Sequence, residues 1–125
     1  MSGGLDAQRF AAAWIEDWNR RDFEAVLAHF REDCVFVSPK AAALTGRGTV
    51  DGKAALRSYW SAAIARANDL RFVLDRAVYA ADSRTLSIIY EATINGVRNR
   101  AVEILTFDSD GNVARGEAFY GAPLP

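Results

Sequence analysis

The chain has 125 residues, half of them apolar and a quarter charged, which is typical of one globular domain spanning residues 1–125. Fifteen basic against sixteen acidic residues give a formal net charge of -1, so a nucleic-acid partner is not expected. A single cysteine and a single histidine exclude an internal disulfide and a Cys/His zinc site, and no metal or cofactor is predicted. The sequence lacks a signal-peptide pattern and any apolar run of ~20 residues, so we expect a cytoplasmic protein without a membrane span.

Helical periodicity dominates the first part of the chain. From residue 5 to about residue 20, Phe10, Trp14 and Trp18 recur at every fourth position, and polar residues fill the other side. This spacing predicts an amphipathic helix. Asp22 suits the N-cap of a short second helix because its carboxylate can accept hydrogen bonds from free backbone N–H groups, and the apolar stripe of that helix runs on to Phe30.

A strand, a loop and a third helix are predicted next. Cys34–Val37 is β-branched and aromatic, and Pro39 is expected to end this strand because proline cannot donate to a sheet ladder. Residues 40–52 contain glycines and show no periodicity, which predicts a loop. Asp51 would then cap a third helix that extends as far as Asn68.

The apolar period changes from helical spacing to two after Asp69. Asn95 and Gly96 lie between two alternating runs and predict a tight hairpin, because both residue types tolerate positive φ. Short connectors make neighbouring strands antiparallel, so the pattern predicts an α+β fold with helices on one face of a curved sheet. The predicted strands cover residues 70–80, 85–94, 97–107 and 112–120.

Five segments have a recognisable family pattern: WIEDWNRRD at 14–22, LAHF at 27–30, FVSP at 36–39, GKAAL at 52–56 and FDSDGNV at 107–113. Together they resemble the nuclear transport factor 2-like superfamily, and they are most similar to its SnoaL-like polyketide cyclase and ketosteroid isomerase branch. The resemblance implies a cone-shaped barrel, in which three N-terminal helices pack on a strongly curved antiparallel β-sheet around an apolar pocket. It also implies a homodimer. Members include isomerases, cyclases, dehydratases and non-catalytic binding modules, so the fold alone does not select a function.

Three positions can be compared with ketosteroid isomerase, and two of them differ. Trp14 stands where that enzyme has an oxyanion-stabilising tyrosine, and Ser38 stands where it has its aspartate general base. An unassisted serine does not abstract a proton from carbon, so the ketosteroid isomerase reaction is not expected. Glu103 matches the third position, a protonated aspartate. SnoaL-like cyclases, which the chain resembles, rely on one acidic acid/base residue in the pocket.

Glu103 also stands out on pattern alone. Alternation in its strand gives it one face with Ala101, Leu105 and Phe107. A carboxyl group among apolar neighbours needs hydrogen bonds or a proton, and such groups cluster at functional sites. Glu103 is therefore the candidate catalytic residue. The alternative is a structural glutamate paired with an arginine such as Arg100 or Arg115.

The candidate substrate-binding residues are mostly aromatic and apolar, and the same side chains could instead form plain core. His29 is interpreted as structural, Cys34 as a small core residue, and 108–111 as a hairpin turn rather than a calcium loop. The predicted core comprises Trp14, Trp18, Phe23, Leu27, Phe30, Leu56 and Trp60. The candidate lining residues are Trp14, Trp18, Phe30, Ser38, Tyr59, Ile88, Tyr90, Leu105 and Tyr120.

These observations favour a pocket protein for a compact apolar molecule. The first hypothesis is a cofactor-independent isomerase, cyclase or dehydratase that transfers a proton through Glu103. The alternatives are a non-catalytic ligand-binding module and a structural dimer partner. A connected cavity of ~300 Å³ or more would favour a ligand, whereas a cone filled by side chains would not.

Overall fold

The computed structural model describes residues 5–125, so residues 1–4 of the predicted domain lie outside the described range. The helices are α1 (Ala7–Asn19), α2 (Phe23–Leu27), α3 (Pro39–Thr45) and α4 (Lys53–Arg66). The strands are β1 (Phe30–Val37), β2 (Thr49–Asp51), β3 (Leu70–Ala80), β4 (Thr85–Ile94), β5 (Val97–Phe107) and β6 (Val113–Pro123). None of the helices within 5–125 is long and apolar enough to cross a membrane.

The six strands form one curved sheet in the order β2-β1-β6-β5-β4-β3. The last four strands are an antiparallel meander, as their short connectors predict. Strands β1 and β6 pair in parallel. Such a pair needs a long connection, and the other four strands lie between β1 and β6 along the chain. The helices pack against the inner face of this sheet, which confirms the predicted α+β class.

Local signals position the helix starts and the central hairpin. The Asp6 carboxylate accepts the Arg9 backbone N–H at 3.0 Å, and Asp22 caps α2 through the Ala25 N–H at 3.1 Å. The hairpin between β4 and β5 turns at Asn95 and Gly96, with φ of 51° and 81°. These positive values explain why Asn-Gly is favoured there.

The predicted loop at 40–52 is wrong, since it contains α3 and β2. Ser38 caps α3 by accepting the Lys40 N–H at 3.1 Å, Pro39 occupies its first turn, and Gly46 ends it at φ 84°. This Ser-Pro start and glycine stop are helix signals, but seven residues are too few to display a period. Asp51 does not cap α4, because Gly52 occupies the N-cap and no side chain bonds there.

The first strand is longer than predicted. Phe30, assigned from sequence to the apolar stripe of α2, instead begins β1 and pairs with Val113 of β6. The pairing starts where the Val113 N–H donates to the His29 carbonyl at 2.7 Å. Long-range pairing with β6 therefore overrides the local helical spacing, and charged residues 31–33 are carried on the outside of the strand.

The core lies between the inner sheet face and the helices. Leu27 and Leu56 are fully buried, and the predicted core residues Trp14, Trp18 and Phe30 are also buried. Phe23 is only partly buried and packs against the edge of this core, because it sits in the first turn of α2. The remaining predicted member, Trp60, is buried against the Phe30 ring, with centroids 5.4 Å apart.

Candidate functional site

A cavity of about 250 Å³ lies between the inner face of the sheet and helices α1, α3 and α4. Its inner wall is formed by buried residues, whereas Lys40, Arg66 and Asn95 on the same wall are exposed. The cavity therefore reaches the surface beside these three residues, which we call the rim. Its volume of about 250 Å³ is below the ~300 Å³ expected of a ligand pocket, so the size of the cavity alone does not favour a ligand.

Most of the wall is apolar and aromatic, with a few polar groups among the rings. All three tryptophans of the chain take part. The lining residues are Trp14, Trp18, Phe36, Ser38, Lys40, Leu44, Tyr59, Trp60, Ala63, Ile64, Arg66, Ala67, Leu70, Phe72, Tyr90, Ile94, Asn95, Glu103, Ala118 and Tyr120.

Glu103 is the carboxylic acid of this wall. Strand alternation turns it inward from the middle of β5, where its Cα partners are Ile88 of β4 and Ala118 of β6. Its side chain is buried, with 4% of the residue exposed. The inward face predicted by alternation is thus the face that lines the cavity.

The two arginines considered as partners of Glu103 pair with other carboxylates. Arg100 contacts Asp75 at 2.8 Å, and Arg115 contacts Glu117 at 3.4 Å, both on the outer face of the sheet. Within residues 5–125, Glu103 forms no ion pair at 4.0 Å or less. The sequence-based alternative of a pairing with Arg100 or Arg115 is therefore not what the structure contains.

Burial determines the protonation state of Glu103. Removal from water disfavours the charged carboxylate and raises the pKa of Glu103 from 4.5 to about 8. At pH 7 the group is therefore mainly a neutral acid that can donate a proton or a hydrogen bond. Near pH 8 a substantial fraction becomes a carboxylate, which can act as a base.

Two tyrosines flank Glu103 on the neighbouring strands. Tyr90 of β4 and Tyr120 of β6 are the Cα partners of Ala101, two residues before Glu103, from opposite sides. Burial raises the pKa of both phenols, and the nearby Glu103 charge raises them further. Both tyrosines therefore remain neutral, and their hydroxyl groups are hydrogen-bonded to each other, so one O–H of the pair is left to donate at physiological pH.

Ser38 and Tyr59 form the polar part of the wall near α3. Ser38 is almost fully buried, and its Oγ accepts the Lys40 N–H as the cap of α3. Burial raises the pKa of Tyr59, while the Ser38 hydroxyl beside it lowers it. Ser38 thus caps α3 at the cavity wall and contacts a second wall residue, Tyr59.

Trp18 contributes an unusual polar group. Its indole Nε1–H is buried and, within the described part of the chain, has no hydrogen-bond partner. Its ring packs edge to face with Trp14 and Trp60, at centroid distances of 6.2 and 5.0 Å. Buried donors are nearly always satisfied, so this unsatisfied N–H is an exception in the packing of the core beside the cavity.

Three of the predicted lining residues lie in the core beyond the cavity. Ile88 is fully buried, Leu105 is 1% exposed, and Phe30 is 3% exposed. Leu105 and Phe30 converge on Gly116, where an added Cβ would meet them at 3.3 and 3.4 Å. Side chains therefore fill the space around Gly116, and Ile88, Leu105 and Phe30 do not line the cavity.

His29 and Cys34 also lie away from the cavity. The His29 ring packs at a tilt against Phe10, with ring centroids 4.8 Å apart, and burial lowers the pKa of His29. Cys34 is a buried core residue of β1 whose thiol pKa is raised by burial. The segment 108–112 is a turn, with the Asp108 carboxylate accepting the N–H groups of Asp110 and Asn112 at 2.9 Å each.

The rim residues Lys40, Arg66 and Asn95 and the wall residues Leu44 and Phe36 were not predicted from sequence. Lys40 and Leu44 belong to α3, which periodicity did not reveal. Arg66 ends α4, and Asn95 had been interpreted only as a turn residue. The Ser38-Pro39 start and the Gly46 stop of α3 are the sequence signals from which Lys40 and Leu44 could have been assigned to a helix.

Comparisons with known proteins agree with this architecture. The family model of the SnoaL-like domain matches residues 11–116. None of the curated proteins compared with the chain matches it. A solved structure of a SnoaL-like protein of unknown function from Burkholderia thailandensis is 28% identical, with a TM-score of 0.83, covering 93% of this chain and 94% of that chain.

Two enzymes share the fold at lower identity. A steroid delta-isomerase from Pseudomonas aeruginosa is 22% identical, with a TM-score of 0.67, covering 95% of this chain and 85% of that one. The epoxide hydrolase/cyclase-like enzyme SalBIII is 17% identical, with a TM-score of 0.71, covering 90% of this chain and 88% of that one. The fold thus includes isomerase- and cyclase-type members, and the chain belongs to the SnoaL-like domain family.

Proposed function

We propose that this chain binds a compact, largely apolar molecule in its cone and catalyses a cofactor-independent proton transfer with Glu103 as the acid/base. The single observation that carries this proposal is a buried carboxyl group without an ion-pair partner on the cavity wall. A carboxyl group whose only role is structural would normally be paired or hydrogen-bonded. Isomerisation, cyclisation and dehydration all use such a group to move a proton at a carbon or an oxygen.

The surroundings of Glu103 support both proton transfer by this residue and the binding of a reacting substrate beside it. With a pKa of about 8, the group is close enough to neutrality to release and regain a proton. Tyr90 and Tyr120 form a hydrogen-bonded pair next to it, and the remaining O–H of that pair could hold a substrate oxygen whose charge increases during the reaction. Trp14 and Trp18 would exclude water from the reacting atoms.

A hydrogen-exchange assay tests this function without a known substrate. The compact ketone 2-tetralone enolises readily, so catalysed proton transfer appears as replacement of its α-hydrogens by deuterium in D₂O, measured by proton NMR. We expect the wild type to accelerate exchange, and Glu103→Gln to lose ~10²-fold or more of that acceleration. Glu117→Gln on the outer sheet face is the matched control and keeps it.

Binding must be measured beside exchange. If 2-tetralone binds the wild type and Glu103→Gln equally and both exchange it at the same rate, Glu103 is not the acid/base. The second candidate function, a non-catalytic binding module of the same fold, would then stand. That candidate is favoured by the aromatic wall and by the absence of a second carboxyl among the described lining residues.

We also propose a homodimer that packs through the outer face of the sheet. Phe119 on this face is 45% exposed, although it is a large apolar side chain. It lies in register with Val102 and Ile89, so three apolar residues form one row across β6, β5 and β4. A second copy of the chain is the commonest cover for such a face.

A further inference from the structure

Two basic side chains stand at the rim of the cavity without a carboxylate partner. Lys40 and Arg66 both line the cavity and are both exposed. The Lys40 Nζ lies 4.5 Å from the centre of the Tyr120 ring, and Tyr120 itself belongs to the wall. This cation–π contact holds the ammonium group over the cavity instead of letting it extend into solvent.

The lack of partners contrasts with the basic residues elsewhere on the surface. Arg20 pairs with Asp17 at 2.6 Å, for example, and Arg57 with Glu24 at 2.9 Å. In residues 5–125 no acidic group lies within 4.0 Å of the charged atoms of the two rim residues. The rim therefore presents two positive charges that the protein itself leaves uncompensated.

The nearest acidic residue along the chain is directed elsewhere. Asp69, three positions after Arg66, accepts the Gly96 N–H at 3.1 Å and so serves the β4–β5 hairpin. Glu103 supplies the carboxyl group among the described lining residues, and burial keeps it mainly uncharged at neutral pH. The described lining residues therefore carry two cations and no carboxyl group that is mainly charged at neutral pH, so the lining favours an anionic over a cationic ligand.

From this arrangement we propose that the ligand is an amphiphilic carboxylate, with a compact apolar ring body in the cone and its carboxylate held at the rim by Lys40 and Arg66. The inference rests on the proposed function, since it uses the same cavity. An arginine guanidinium can engage both carboxylate oxygens, and a lysine adds a point charge. The reacting end of the molecule would then face Glu103 on the inner wall.

A matched pair of probes separates charge from shape. The carboxylate 2-naphthoate and the neutral ketone 2-acetonaphthone share one ring body and nearly one outline. Isothermal titration calorimetry at pH 7 and low salt measures both dissociation constants. We expect the wild type to prefer 2-naphthoate by about five-fold or more, the size of effect that partly exposed charge pairs produce.

Two double variants locate that preference. Lys40→Gln with Arg66→Gln removes both rim charges, and the ratio of the two dissociation constants, which cancels any change in packing that both probes share, should fall below about two-fold. Lys53→Gln with Arg71→Gln removes the same charge from basic residues that do not line the cavity, and the preference should persist. Equal thermal unfolding temperatures check that each variant is folded.

The outcomes distinguish this inference from the proposed function. Equal wild-type affinity for the two probes, or a preference that survives the rim variant, overturns the carboxylate proposal and leaves a neutral apolar ligand for the cavity. A preference lost equally in the control variant also overturns it, because it would reflect net charge alone. Failure of both probes to bind at millimolar concentration overturns the binding site itself, and the proposed function with it.

Discussion

The two faces of the sheet place a glutamate in opposite environments. Glu103 and Glu117 lie on adjacent strands, one register step apart, yet Glu103 faces the cavity alone and Glu117 faces outward at 3.4 Å from Arg115. The outer face pairs its charges, as Asp75 does with Arg100 and Glu91 with Arg98. An exposed carboxylate on the outer face is stabilised by a cation or by solvent, whereas Glu103 on the cavity face has neither.

The largest expected effect tests how differently the two faces are packed. Leu105 on the inner face is 1% exposed, whereas Val73 on the outer face is 50% exposed. Leu105→Ala should lower the free energy of unfolding by ~2–5 kcal/mol, through lost apolar burial and the cavity that it leaves. Val73→Ala should cost less than ~0.5 kcal/mol. Urea unfolding checks both, and similar costs for the two variants would contradict the assigned faces.

A second prediction concerns the pH dependence of stability. The folded protein holds the Glu103 proton up to about pH 8, whereas the unfolded chain releases it near 4.5. The free energy of unfolding should therefore fall as the pH rises between these values, since the folded state then binds more protons. Glu103→Gln removes this loss. As the pH rises from 5 to 9, the free energy of unfolding of the variant should therefore increase relative to that of the wild type, by an amount on the order of a few kcal/mol.

Glu117→Gln is the control on the other face. Its paired carboxylate is partly exposed, so this change should alter the free energy of unfolding by less than ~1 kcal/mol. Denaturant titrations of the three proteins at several pH values give the comparison. A Glu103→Gln variant that loses stability at pH 9 relative to the wild type would indicate a hidden partner for the carboxylate.

The third prediction tests what covers the outer face. If the row of Ile89, Val102 and Phe119 is a dimer contact, light scattering at micromolar concentration should give twice the 13.7 kDa chain mass. Phe119→Asp places a charge in that contact and should return the mass to one chain. Phe119 is 45% exposed in the single chain, so the variant should still fold. A wild-type mass of one chain would contradict the proposed dimer.

The smallest expected effect concerns the central hairpin. Gly96 has a φ of 81° and no atom within 4 Å of an added Cβ, so Gly96→Ala is limited by backbone strain and not by contact. We expect a cost of ~1 kcal/mol, as for other non-glycine residues in the left-handed region. The same measurement on Gly48→Ala, where φ is not positive, is the control. Equal costs would show that the turn conformation is not what selects glycine.

The sequence predicted the meander better than the region around α3. Three of the last four strands match their predicted bounds, because each is long, alternates regularly and ends at a turn signal such as Asn95-Gly96. The segment 39–51 was missed because α3 and β2 are short. The formation of α3 and β2 depends on packing against α4 and β1, and a local sequence pattern does not reveal such contacts.

The site shows the same division between local and long-range information. Glu103 could be found from strand parity, since a carboxyl group at an inward apolar position breaks the alternation. The cavity that it faces could not, because its wall joins residues of α1, α3, α4 and the sheet that are far apart in the sequence. The rim could not be predicted either, since it joins residues of α3, α4 and the β4–β5 hairpin.

The most direct test of the account is a carbon-13 NMR titration of the Glu103 carboxyl group in the folded wild type. Selective labelling with Glu103→Gln as the assignment control identifies its resonance, and no substrate is required. We expect a midpoint near pH 8 for an unpaired carboxyl group buried at the cavity wall. A midpoint at or below 4.5 would show that a partner stabilises the carboxylate, and it would contradict the role of Glu103 as the acid/base.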